Sequence, residues 1–121
     1  MSVRLDSSLR LGGYPNNSVI VVVYSFSSGT SNGVMYSANG FPRSAYFPDT
    51  NEGNEIVDLL KEAFKRHLVF TIGTSVTTGQ TNTLVWNDIH HKTTLQPGAY
   101  GYPDPGYLAR IRAELKAKGV E

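Results

Sequence analysis

The stretch LVWNDIHHKTT, residues 84 to 94, contains the chain's only Trp and two of its three His residues. An indole with one open face is a stacking platform for a base; otherwise it packs in a core. A neutral imidazole donates from one ring nitrogen and accepts at the other, which suits a ribose hydroxyl or a diphosphate edge. His90 and His91 are sequence neighbours, so on an extended segment their rings face opposite sides and do not share one metal ion. One ring can then enter a cleft while the other packs or meets solvent. The plain alternative is a His satisfied by nearby backbone.

Two further stretches carry polar groups. GTSVTTG, residues 73 to 79, follows an apolar run, and a loop of small residues there either exposes N–H groups and hydroxyls to a phosphate or simply connects a hairpin. It is not a P-loop, because no Lys follows. AYGYPDPGY, residues 99 to 107, brings together three Tyr and two Pro; such a stiff turn walls a pocket or staples the next helix to the sheet. Glu114 falls in that helix, where an isolated Glu reads as solvated surface. No Ser/His/Asp spacing and no paired carboxylates emerge, so the unaided residues lead to a ligand pocket and not to catalysis.

The elements that must hold these groups fit within one core, since 121 residues suit a single domain. The chain is 40% apolar with 12 Gly and 6 Pro, as expected of a globular protein with many turns. With 11 Lys and Arg against 10 Asp and Glu it is near neutral, so nucleic acid is an unsupported partner. The absence of Cys excludes disulfides, thiolate metal sites and a RING-type zinc module within these residues. No metal is expected, and intracellular residence, cytoplasmic or nuclear, is compatible. The N-terminus lacks a signal-peptide layout and VIVVVY is too short to span a bilayer. No membrane partner is therefore expected.

Residues 1 to 11 read as a lead-in, and the turn-rich GGYPNN ends at residue 17. SVIVVVYSF then has the β-branched density of a buried strand, while residues 27 to 48 read as irregular or short edge strands broken by NG and FP. Ile56, Leu59, Leu60, Ala63, Phe64 and His67 recur at helical spacing, predicting a helix over about 52–67 with Asp49 and Glu52 as a capping box. LVFTI and TLVW are two more strands. Asp104 as N-cap, Pro105 at the first helical position and a Leu108, Ile111, Leu115 stripe predict a helix over about 105–118, closed by Gly119. The fold class is α+β: a single domain, mainly antiparallel sheet, with two principal helices.

Taken together, GFPRSAYFPDTNEG, LVFTIGTSVTTGQTNTLVWNDIHHKT and GYPDPGYLARIRAELKAKGV resemble the C-terminal domain of the Deltex family, from about residue 12 to 121. The resemblance implies a module that binds ADP-ribose or NAD and recruits ADP-ribosylated proteins for ubiquitination, with a RING domain and a ubiquitin-conjugating enzyme supplied elsewhere. No further cofactor is required. It places Gly73, Thr74, Ser75, Val76 and Thr77 of the loop with Trp86, His90 and Tyr100 around the ligand, and makes Asp88 structural. Members that modify ADP-ribose carry a His before GYPDP, working with a Glu of the last helix to activate a ribose hydroxyl. Glu114 matches that Glu, but Tyr100 stands in the His position, and a tyrosine with its ordinary pKa of about 10 is a poor base near neutrality. Val76 replaces a Ser of many relatives, and the segments 27–40 and 91–101 are shorter. Two alternatives follow: a domain helping attach ubiquitin to a ribose hydroxyl through Glu114, or a protein-interaction module that has lost nucleotide binding.

Overall fold

A computed structural model describes the chain apart from residues 32, 39 and 77. Its centre is β2 (Val19–Tyr24), flanked antiparallel by β1 (Ser2–Asp6) and β5 (Arg43–Pro48). Val19, Ile20, Val21, Val22 and Tyr24 are all buried, so both faces of β2 are covered, and a continuous β-branched run suits that position. Residues 1 to 11 are thus more than a lead-in, since β1 pairs with β2 from Ser2↔Val23 to Asp6↔Val19.

Two hairpins complete the strands. β3 (Gly29–Ser31) pairs with β4 (Val34–Tyr36), and β6 (Phe70–Gly73) pairs with β7 (Thr83–Trp86). A short parallel bridge joins them, with Leu84 N donating to Ser37 O at 3.0 Å and Thr83 Oγ1 to the same oxygen at 3.1 Å. The α+β class with antiparallel pairing matches the sequence expectation. No helix among the described residues is long and apolar enough to cross a membrane.

Helix α1 (Asn51–Lys65) buries Ile56, Val57, Leu60 and Ala63. Each such side chain contributes roughly 1.5–3 kcal/mol before chain entropy is subtracted. The cap is Thr50, whose Oγ1 accepts from Gly53 N at 3.0 Å; Asp49 instead holds Asn54 Nδ2 at 2.8 Å. The helix stops short of the expected end, because Arg66 caps it and His67 takes a left-handed φ of 61°.

Helix α2 (Tyr107–Ala117) buries Leu108, Ile111 and Leu115 as its stripe requires. Its start corrects the sequence reading. Gly106, at φ 84°, occupies the cap position, and the Asp104 carboxylate turns away to Lys92 and Arg110. A tertiary ion pair has outcompeted a local cap whose worth is about 1 kcal/mol. Gly119 ends the helix at φ 80°, with Val120 N reaching back to Leu115 O.

Gly53 tests the close fit between α1 and β5. A Cβ added there would lie 1.9 Å from Pro48 O, a backbone atom, whereas at Gly73 it would meet only a Val85 methyl at 3.4 Å. Gly53→Ala gains helix propensity of about 1 kcal/mol yet should lower the thermal midpoint. Gly73→Ala should leave it nearly unchanged in the same melts. Equal midpoints for both variants would contradict this packing.

Candidate functional site

The site grows from one buried imidazole. Tyr24, at the end of β2, and His91 are both buried, and Tyr24 Oη lies 2.9 Å from His91 Nε2. His91 Nδ1 lies 2.8 Å from Ile89 O, and a carbonyl only accepts. The proton is therefore on Nδ1, and Nε2 accepts from the tyrosine hydroxyl. Burial holds the ring neutral, pushing its pKa from 6.5 down to about 4. The ring lies flat on Trp86, centroids 4.4 Å apart and planes at 28°.

The approach to His91 is fixed as firmly. Asn87 ties the end of β7 to the α1–β6 connection, its N donating to Val69 O at 3.0 Å and its Nδ2 to Leu68 O at 3.1 Å. Asp88 then turns the chain with a left-handed φ of 62°. Beyond His91, Lys92 O accepts from Tyr46 N of β5 at 3.0 Å. The segment is thus attached to the α1–β6 connection at one end and to β5 at the other.

With His91 turned inward, His90 faces out, as neighbours on an extended segment must. Among the described residues, its side-chain partners Glu114 and Tyr107 both come from α2. Glu114 Oε1 accepts from His90 N at 2.9 Å, Glu114 Oε2 accepts from His90 Nδ1, and Tyr107 Oη donates to His90 O at 2.6 Å. In the neutral ring Nδ1 then carries the proton and Nε2 is left as an acceptor. The imidazole is 77% exposed, so a ligand can reach it. Glu114 is not the solvated residue its helix position suggests: it orients His90.

Below this pair lies a buried cation. Lys92 Nζ donates to Asp104 Oδ2 at 2.6 Å and to Ala99 O at 2.9 Å, and sits 5.1 Å from the Tyr107 ring centroid. Arg110 Nη2 donates to the same Asp104 oxygen at 2.5 Å. Bonding by Arg110, then by Lys92, holds the Asp104 carboxyl down at a pKa of about 2. These contacts tie both ends of the AYGYPD turn, whose Tyr100 is left 65% exposed.

Together these residues line an open cavity of about 1070 Å³, just above the roughly 300–1,000 Å³ usual for small-molecule sites. Thr74, Ser75, Val76, Trp86, His90, Tyr100 and Glu114 all line it. Gly73 is the last residue of β6 and stands back from the lining, and Thr77 lies outside the described residues.

Two expected roles change. Ser75 N donates to Gln80 O at 2.9 Å, so that amide serves the loop and not an anion. Trp86, expected as a stacking platform, is itself packed against Phe70, tilted at 4.5 Å between centroids, and stacked on His91 at 4.4 Å. The exposed ring at the rim is Tyr100. The sequence reading missed Arg43, Lys92 and Arg110, which also line the cavity. A Lys beside a His pair and an Arg one turn into a helix carry no local signal of a shared site.

The fold and this cavity define a Deltex C-terminal domain: that family's profile matches residues 1–120, and the chain belongs to it. The match includes the β1 residues. The chain is 46% identical over 128 residues to the human Probable E3 ubiquitin-protein ligase DTX3, covering 99% of this chain and 36% of that protein. It is 43% identical over 118 residues to human E3 ubiquitin-protein ligase DTX1 and 42% to mouse E3 ubiquitin-protein ligase DTX4, in each case covering 91% of this chain and 19% of the relative. It therefore spans about a third or less of these relatives.

The neutral His91 gives stability a defined pH dependence. Its folded-state pKa lies below the unfolded value, so the unfolded chain takes the proton first. This stabilisation is complete above pH 6.5 and is lost as pH falls through about 4, by at most roughly 3 kcal/mol. Denaturant midpoints measured across that window should fall in wild type and equally in His90→Ala. Tyr24→Phe, which strips Nε2 of its donor, should cost about 1–3 kcal/mol at pH 7. A flat profile, or a neutral Tyr24→Phe, would contradict the buried pair.

Proposed function

We propose that this domain binds ADP-ribose, as the free nucleotide, as part of NAD or attached to proteins, and thereby links ADP-ribosylated proteins to ubiquitination. The observation that carries the reading is the His90–Glu114 pair, set on the rim of a large cavity beside the Thr74 and Ser75 hydroxyls. His90 Nε2 accepts from a ribose hydroxyl, and Tyr100 covers the base or sugar face. The relatives are E3 ubiquitin-protein ligases by name; here a RING domain and a ubiquitin-conjugating enzyme act as partners from outside these residues.

A second reading rests on the same pair. Both Glu114 oxygens are engaged by His90, so the group facing a ribose hydroxyl is the imidazole and not the carboxylate. Set this way, His90 Nε2 takes the hydroxyl proton as that oxygen attacks the thioester carbon of charged ubiquitin; the C–O ester bond forms, the C–S bond breaks, and the cysteine thiolate of the conjugating enzyme leaves. Tyr100 then orients the ligand without replacing a base.

Calorimetry with ADP-ribose tests the binding reading. Saturable heat is expected, weakened by about 1–3 kcal/mol in His90→Ala, which leaves a ligand hydroxyl without its partner. Tyr100→Ala should cost a similar amount through lost stacking, about 1–3 kcal/mol. No heat and no thermal shift at millimolar ADP-ribose would refute the proposal. Reconstitution with a RING partner separates the second reading: Glu114→Ala should abolish ADP-ribose-linked ubiquitin, and a wild-type domain that makes none is a reader only.

A further inference from the structure

The charges around the cavity are not evenly neutralised. On the α2 side Lys92 and Arg110 share the Asp104 carboxylate, and Glu114 is turned to His90. Arg43, the first residue of β5, also lines the cavity. Among the described residues it forms no ion pair, and Asp88, the remaining carboxylate of the lining, is not joined to it.

Arg43 is nonetheless held in place. Its guanidinium lies 5.2 Å from the centroid of the Phe41 ring, and a Cβ added at Gly40 would come within 2.8 Å of its Nη2. Phe41 is itself fixed edge-on against Phe26 and Phe70, at centroid distances of 5.1 and 5.0 Å. A cation packed in this way forgoes little further rotamer entropy when it meets an anion. Of the anion donors expected in the 73–79 loop, the Ser75 amide is already engaged by Gln80 O.

We infer that Arg43 receives the diphosphate of the ligand through its guanidinium fork, an inference that rests on the ADP-ribose reading above. The planar fork matches two phosphate oxygens at once, which the point charge of a lysine does not. The cavity thus divides its work. The hydroxyl-bearing sugar lies with His90 and Tyr100, and the phosphates lie with Arg43. A ligand lacking phosphate forgoes the Arg43 contact altogether.

The test titrates ADP-ribose into wild type, Arg43→Gln and Arg43→Lys at two salt concentrations. Arg43→Gln should weaken binding about tenfold or more and flatten its salt dependence. Arg43→Lys should fall between. Binding by wild type with Arg43→Gln within twofold of it, and the same salt slope, overturns the inference and leaves the ADP-ribose reading intact. No binding by wild type overturns both. A direct measurement guards against a misfolded variant: the Arg43 Nε–H resonance of the wild-type protein should shift as ADP-ribose is added, and an unmoved resonance under saturating ligand also overturns the inference.

Discussion

The site depends on a neutral imidazole locked between a tyrosine hydroxyl and a carbonyl. Tyr24 donates to His91 Nε2, and His91 Nδ1 donates to Ile89 O, two residues back. Both ring nitrogens are satisfied inside the core, so the ring does not rotate without losing a buried hydrogen bond, and burial opposes its charging. The chain at 89–91 inherits that rigidity. Because side chains alternate along an extended segment, fixing His91 inward fixes His90 outward. The orientation of the exposed residue is thus set by burial of its neighbour.

Around this lock the aromatic core supplies the shape. Tyr24 meets Phe64, Phe70, Trp86 and His91, and Phe47 continues the contacts from His91 to Tyr107. Burial pushes the Tyr107 hydroxyl well above the usual range, so it stays a donor, and it spends that donor on His90 O. Helix α2 therefore reaches the His pair three times: twice through Glu114 and once through Tyr107. The Lys92–Asp104–Arg110 group ties the intervening turn to the same helix. The rim of the cavity is built on packed elements, with Tyr100 as its exposed ring.

Much of the frame is written in local pattern. The VIVVVY run is β2, Ile56, Leu60 and Ala63 of the expected stripe lie on the buried face of α1, and Leu108, Ile111 and Leu115 anchor α2. These follow from periodicity and burial alone. β1 escaped notice because SVRLD is an exposed edge strand with little apolar density, and its evidence is its pairing with β2. Asp104 read as a helix cap because a local rule names Asp before Pro, whereas its true partners, Lys92 and Arg110, are set by tertiary structure. The His pair was legible as an in-and-out arrangement. Its partners were not: Tyr24 lies 67 residues from His91 and Glu114 lies 24 from His90, separations no spacing rule spans. Arg43 sat unremarked in a broken stretch, and its place in the cavity comes from the register of β5 against β2.

The central claim is that a fixed, neutral His91 presents His90 to the ligand, and long-range nitrogen NMR of the imidazoles reads it directly. The His91 signals should show a protonated Nδ1 and an unprotonated Nε2 from pH 8 down to about 5. On addition of ADP-ribose the His90 signals should move while those of His91 hold. A His91 ring protonated at Nε2, or already charged at pH 6, or His90 signals indifferent to saturating ligand, would contradict the account.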